Sequence, residues 1–216
     1  MTGIDRAGAP FIGGAIVLAA VAAVVVGWWW AVPFVGLAAF MAFFFRDPDR
    51  AIAADARVVL SPADGRVMVA GPGEPHVAPD GAWQQISIFL SPMDVHINRV
   101  PFGGRLTKVT YRPGRFLAAF RPESGAQNER TELWVERQGR TVVFRQVVGV
   151  LARRVVCRVR EGDEVATGDR FGLMKFGSRM DVFVDGDARL LVKAGDMVRA
   201  GETRLAEFPA TEGTSC

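Results

Sequence analysis

Cysteine, histidine and lysine are all scarce in this chain. Of 216 residues, two are cysteine and two are histidine. Cys157 and Cys216 lie far apart, and neither C-x-x-C nor H-E-x-x-H spacing occurs, so there is no disulfide framework and no metal-ligand pattern. His76 and His96 are too few for a protein-built zinc site, and no metal is expected. Among 26 basic residues only Lys108, Lys175 and Lys193 are lysines, and with 23 acidic residues the formal charge is only +3. That excess is too small for a nucleic-acid binder driven by charge density, and no nucleic acid is expected as a partner.

A different absence marks the N-terminus. Residues 7–45 contain no charged side chain. The run is far longer than the ~20 apolar residues that cross a bilayer, so it reads as a membrane segment. As one helix it would be about 58 Å long at ~1.5 Å per residue, roughly twice the hydrocarbon thickness, so a break is expected. Gly27 and Pro33 bracket Trp28-Trp29-Trp30 and supply it. The expected pieces are a helix over 10–30 and a shorter apolar piece over 34–45. They would form a tight helical hairpin, a re-entrant hairpin, or one span plus an interfacial helix. Arg6 on one flank and Arg46 and Arg50 on the other favour both ends on the cytoplasmic side. A secretory signal peptide fits poorly, because the run is too long and tryptophans stand where small cleavage-site residues belong.

The linker FFRDPDR, residues 44–50, ends the apolar run with a proline and alternating charges. Beyond it come short segments rich in Val, Ile and Phe: RVVL, GRVMVA, QQISIFL, GRLTKVTY, ELWVERQG, TVVFRQVVGVLA and RRVVCRVR. Gly, Pro and Asp separate them at intervals of about ten residues, which predicts a mainly β domain. Only residues 115–120 have some helical potential. An internal repeat sharpens the fold. VREGDEVATGD from Val159 and VKAGDMVRAGE from Val192 share V-x-x-G-D-x-V-x-x-G. Two such strand-turn-strand units can close a flattened barrel-sandwich resembling the biotinyl and lipoyl carrier domains, here preceded by the N-terminal apolar helical hairpin.

In those carriers the modified lysine lies between the two halves. Here that segment is LMKFGSRMDVF, which offers two reactive positions. Either Lys175 is a swinging-arm attachment site in a membrane-tethered, non-catalytic carrier, or Ser178 does chemistry. With SPADGRV (Ser61 to Val67) and SPMDVHINRVP (Ser91 to Pro101), the chain holds a carboxylate, an imidazole and a hydroxyl, the set that activates a serine.

These stretches, in this order, resemble the short-form phosphatidylserine decarboxylase proenzymes. The likeness runs over essentially the whole chain: the apolar hairpin, FFRDPDR, SPADGRV, SPMDVHINRVP, YRPG at Tyr111, QNER at residues 127–130, and VREGDEVATGDRFGLMKFGSRMDVF. It implies a membrane segment over 1–46 and a catalytic β domain over 47–216. It also implies a precursor that cuts itself between Gly177 and Ser178 into a large chain, 1–177, and a small chain, 178–216. The physical logic agrees, because a glycine before the serine leaves its carbonyl unshielded by a Cβ. The Ser178 hydroxyl attacks that carbonyl, the amide becomes an ester, and β-elimination leaves dehydroalanine, which hydrolyses to a covalent pyruvoyl group. That carbonyl would condense with the amine of phosphatidylserine and take up the electrons released with CO2, giving phosphatidylethanolamine.

The resemblance assigns proton transfer to His96, whose ordinary pKa near ~6.5 suits either direction, and its orientation to Asp64. Asp94 ranks below Asp64. Longer bacterial relatives carry a second histidine where this chain has Arg99. Arg115, Arg130 and Arg179 are candidates for the lipid phosphate, since forked guanidinium donors match phosphate oxygens. Surface charge is the plainer reading of each. His76 lies in a Gly- and Pro-rich loop without an expected role, and Asn128 and Glu129 match the family without a derivable one. The expected setting is the inner membrane, catalytic domain on the cytoplasmic side, with a homodimer as one arrangement open to such an enzyme.

Overall fold

The computed structural model describes residues 3–53, 55–150, 155–175 and 178–210. The chain divides into two compact units. One holds the residues up to Asp49 together with Val95–Ile97, and the other holds Arg50–Asp94 and the residues from Asn98 onward.

In the first unit β1 (Gly3–Ile4) leads into α1 (Ala9–Val25), α2 (Val32–Phe44) and β2 (Arg46–Asp47). The first helix ends five residues earlier than its sequence suggests. Gly27 takes φ 127°, a left-handed value that glycine tolerates, and Trp28–Ala31 form a 3-10 turn instead of continuing the helix. Pro33 then falls in the first turn of α2, where its missing N–H is no loss. The two helices form an antiparallel hairpin. Phe11 stacks on Phe45 at 5.5 Å, the Asp5 N–H donates to the Phe45 carbonyl at 2.9 Å, and β1 pairs antiparallel with β2. The buried residues of α1 are Ala15 and Ala19, whose small side chains let helix backbones approach closely. Val17, Leu18, Val21 and Val24 are exposed, as are the three tryptophans at the hairpin tip. Residues 6–25 make one helix long and apolar enough to cross a membrane, and the 28–44 piece is shorter.

From Arg50 onward the chain is mainly strand. In order come β3 (Val58–Leu60), β4 (Gly65–Pro72), β5 (Trp83–Leu90), β6 (Ile97–Arg99), β7 (Gly104–Arg112), the short α3 (Ser124–Gln127), β8 (Arg130–Arg137) and β9 (Arg140–Val147). Then follow β10 (Val155–Cys157), β11 (Glu164–Val165), β12 (Arg170–Met174), β13 (Ser178–Asp185), β14 (Arg189–Leu190), β15 (Met197–Val198) and β16 (Arg204–Glu207). Eight strands in the order β11-β7-β8-β9-β13-β5-β4-β15 form a curled half-barrel, while β14-β16-β3 form a smaller sheet and β10 pairs with β12. The flattened barrel expected from the repeat is therefore present. Residues 115–120 are not helical; the helical turn lies a few residues later, in α3.

The repeat is visible as matched hydrogen bonds. In one copy Leu106 N–H donates to Asp163 O and Gly162 N–H to Leu106 O; in the other Val67 N–H donates to Asp196 O and Gly195 N–H to Val67 O. Gly168 and Gly201, at φ 89° and 75°, occupy equivalent turns, and a Cβ on either would collide with the side chain of Ile52. One isoleucine thus fills the space under both turns. The apolar interior is built from alternate strand residues, including Ile86, Ile88 and Leu90 on β5, Val142 and Phe144 on β9, and Met180, Val182 and Val184 on β13.

Candidate active site

Ser178 opens β13, between β5 and β9, directly opposite Leu90. Alternation puts it on the same face as Met180 and Val182, facing the apolar interior. It is fully buried, and its Oγ makes no hydrogen bond among the described residues. A buried hydroxyl without a partner costs about 1–3 kcal/mol, so its retention calls for a reason other than stability. Gly177, the expected cleavage partner, lies outside the described residues. Lys175 stands half-buried just after β12 ends at Met174.

His96 belongs to the other compact unit. Its ring is buried, 4.1 Å from the ring of Phe44 in α2 and tilted by 31°. Asp64 lies in the turn before β4. Its two carboxylate oxygens accept from Arg50 Nη2 at 3.0 and 2.8 Å, and Oδ1 also accepts from the Ala200 N–H at 2.8 Å. At the equivalent turn of the other half, the Gly103 N–H donates to Thr167 Oγ1 at 2.7 Å. Asp64 therefore braces a turn of the repeat, whatever else it does. Asp94 accepts the Ser91 N–H at 2.8 Å, closing its own turn. Arg99 is buried and donates from Nη1 to the Gly168 carbonyl at 3.1 Å.

The three arginine candidates occupy different environments. Arg179, 1% exposed, donates from Nε to Asp181 at 2.6 Å and from Nη2 to Ser87 Oγ at 2.9 Å, on the face of β13 opposite Ser178. Arg130 is half-buried and donates from Nη1 to the Ala126 carbonyl at 2.7 Å. Arg115 is exposed, and its backbone pairs with Gln127 and Glu129.

The family model for phosphatidylserine decarboxylase matches residues 37–206. The chain is 45% identical over 181 residues to a phosphatidylserine decarboxylase proenzyme of Salinibacter ruber, covering 82% of this chain and 80% of that protein. It is 42% identical over 219 residues to the Paramagnetospirillum magneticum proenzyme, covering 97% and 89% of the two chains. With the Nitrosomonas europaea proenzyme the identity is 41% over 206 residues, 95% of each chain. The chain belongs to the phosphatidylserine decarboxylase family.

In this decarboxylase-family chain the tertiary structure adds two residues that sequence reasoning missed. Gln146 on β9 pairs in register with Met180, so it shares the face of Ser178, and its Nε2 donates to Asn98 Oδ1 at 2.8 Å. Both amides are fully buried, and Gln146 Oε1 and Asn98 Nδ2 have no partner among the described residues. The face that carries the serine therefore also carries a spare acceptor and a spare donor. One signal was available: Val142 and Phe144 alternate as apolar residues, and Gln146 then breaks the series on the same face.

Asn128, matched but unexplained at first, is a brace. Its Nδ2 donates to the carbonyls of Leu117 and Val148 at 2.8 Å each, and its Oδ1 accepts the Leu117 N–H at 3.0 Å. Since Arg179 pairs with Val147, this brace pins the 115–117 loop to the end of β9 that lies beside the start of β13. All the polar atoms of a buried amide are used, so its contribution is order rather than chemistry.

Proposed function

We propose that this protein decarboxylates phosphatidylserine to phosphatidylethanolamine after cutting itself between Gly177 and Ser178. The observation that carries the reading is the buried Ser178 Oγ at the first position of β13, without a hydrogen-bond partner among the described residues, in a chain of the phosphatidylserine decarboxylase family. The fit to a pyruvoyl group at position 178 rests on that same atom, because elimination and hydrolysis, with loss of ammonia, would turn Cα into the ketone carbon and the hydroxymethyl side chain into a methyl, which removes the hydroxyl from an apolar face. Such a group supplies an electrophilic carbonyl that condenses with the substrate amine and accepts the electrons released with CO2.

The chain's own residues would do the rest. The Ser178 hydroxyl attacks the Gly177 carbonyl, and elimination from the resulting ester frees the large chain with a new carboxylate. His96 takes the serine proton during cleavage and later returns a proton to the substrate α-carbon, with Asp64 favouring the charged imidazole. Asn98 and Gln146, on the serine's side, offer a donor and an acceptor to a developing charge. The apolar hairpin holds the enzyme on the inner membrane, catalytic unit on the cytoplasmic side, where its lipid substrate is concentrated. A homodimer is compatible with this arrangement.

Denaturing electrophoresis tests the reading. The 23.4 kDa chain should appear as pieces of about 19 and about 4 kDa, scaling mass with length, and Ser178→Ala should stay whole. Hydride trapping with labelled substrate should leave the label on the fragment that begins at position 178. An active chain with the 177–178 bond intact would overturn the proposal. A carrier using Lys175 would likewise stay uncut and would gain mass on that lysine.

A further inference from the structure

The face of the large sheet opposite Ser178 gathers positive charge. Arg112 pairs in register with Arg130, Glu132 with Arg145, and Arg145 with Asp181. Register partners project from the same face. An irregularity between Leu106 and Lys108 shifts the pairing so that Lys108 lies opposite Trp134 and joins them. Lys108, Arg112, Arg130 and Arg145 line one cavity of about 370 Å³ together with Glu132, Trp134 and the loop over 76–80.

Two carboxylates, Glu132 and Asp80, line it against four basic side chains, which leaves an excess of positive charge. Glu132 is spent: it accepts from Arg145 Nε at 2.6 Å and from Trp134 Nε1 at 2.8 Å. Arg145 gives another N–H to the Val77 carbonyl, and Arg130 donates to the carbonyls of Ala126 and Asn128. Carbonyls satisfy donors without neutralising charge. The Arg130 Nε is buried and has no partner among the described residues. Arg112 makes no ion pair among the described residues, and the Lys108 ammonium sits 5.5 Å from the Trp134 ring centre. Burial, then the neighbouring charges of Arg145 and Arg112, hold the Arg130 guanidinium below its ordinary pKa. A half-buried Arg130 beside the buried Arg145 is costly unless an anion joins them, and the exposed Lys108 and Arg112 extend the same positive field to the rim.

We propose that this cavity is a second anion site, separate from the Ser178 face, which binds the phosphate of a mono- or diester. The Arg112 guanidinium, the remaining N–H groups of Arg130 and the Lys108 ammonium match the several oxygens of a phosphate, while Arg145, tied to Glu132 and Val77, adds charge. The volume accommodates a phosphate with a small organic substituent, at the lower end of ordinary ligand pockets. Two sources share this chemistry, a phospholipid headgroup and a free phosphate compound. The site does not depend on whether position 178 is processed.

The test is calorimetric titration of the full chain in detergent at constant ionic strength. Inorganic phosphate, glycerol phosphate and a short-chain, water-soluble phosphatidylglycerol are the probes. Lys108→Gln/Arg112→Gln changes two exposed side chains, so the fold should survive, which circular dichroism checks. Saturable binding should weaken at least about tenfold in that variant. It should be unchanged in Arg57→Gln, a surface arginine beside Glu207, and unchanged in Ser178→Ala. Tighter binding of the diester assigns the site to headgroups, and tighter binding of inorganic phosphate assigns it to free phosphate. Absence of saturable binding by all three probes, or equal binding by the double variant, would overturn the proposal. Failure of self-cleavage would leave it standing.

Discussion

The two faces of strand β13 carry different polar chemistry, uncharged on one and ionic on the other. On one, Ser178 and its neighbour Gln146 carry buried polar atoms with no hydrogen-bond partner among the described residues. On the other, Arg179 is clamped to Asp181 and Ser87, and Arg145 to Glu132. Satisfied polar groups in a sheet hold the fold together. Asp181 Oδ2 and Arg130 Nε, on the arginine face, are nevertheless buried without a hydrogen-bond partner among the described residues, so what distinguishes the serine face is that its unpartnered atoms are uncharged and lie beside a hydroxyl. The same alternation of a single strand thus separates a neutral, hydroxyl-bearing face from an ionic one by the thickness of a sheet.

The comparison can be broken most sharply at its first residue. Ser178→Ala should stop self-cleavage and reduce decarboxylation to background, while leaving the fold slightly more stable, as read by electrophoresis, CO2 release and thermal melting. On the opposite face the effects should fall on stability instead. Asp181→Ala leaves the Arg179 guanidinium buried without its partner and should cost about 3–5 kcal/mol in denaturant unfolding. Replacing both, Arg179→Met with Asp181→Leu, should recover most of that loss. Recovery would show that the pair is architectural, and failure to recover would point to a further role.

A third variant sharpens the contrast. Asn98→Leu/Gln146→Leu removes both members of an imperfectly satisfied pair and should change stability by no more than about 1 kcal/mol. It should nevertheless slow the appearance of the two fragments several-fold in a time course. The smallest expected effect is a pH dependence. Burial raises the Glu132 pKa, but the hydrogen bond from Trp134 and the charge of Arg145 outweigh it, so the carboxyl titrates below its ordinary value. A depressed folded-state pKa contributes stability above the unfolded value, near ~4.3, and that contribution is lost as pH falls through the folded value. Glu132→Gln should flatten the loss of stability between pH 5 and pH 3, as read from denaturation midpoints.

Much of the architecture was legible because it rests on local rules. The break in the apolar run follows from Gly27 and Pro33, although the tryptophans proved to belong to the turn. The strands follow from alternation, and the barrel from a repeat whose glycines recur at equivalent turns. The roles of single charged residues were far less legible. Arg179 reads as one more surface arginine, yet it is held by Ser87, 92 positions away in the chain. Asp64 reads as a catalytic candidate or a turn residue, and its carboxylate is gripped by Arg50 and by the Ala200 N–H, 136 positions away.

The amino-acid order by itself determined which segments are apolar, which alternate, where the chain must turn, and that a glycine and a serine stand between the two halves of the repeat. Those features depend on neighbours a few bonds apart. Only the tertiary structure decided which polar atoms are satisfied and which are spare, and where four basic residues from three strands come to face one cavity. Such outcomes depend on strand register and burial, which join residues that are close in space but distant along the chain.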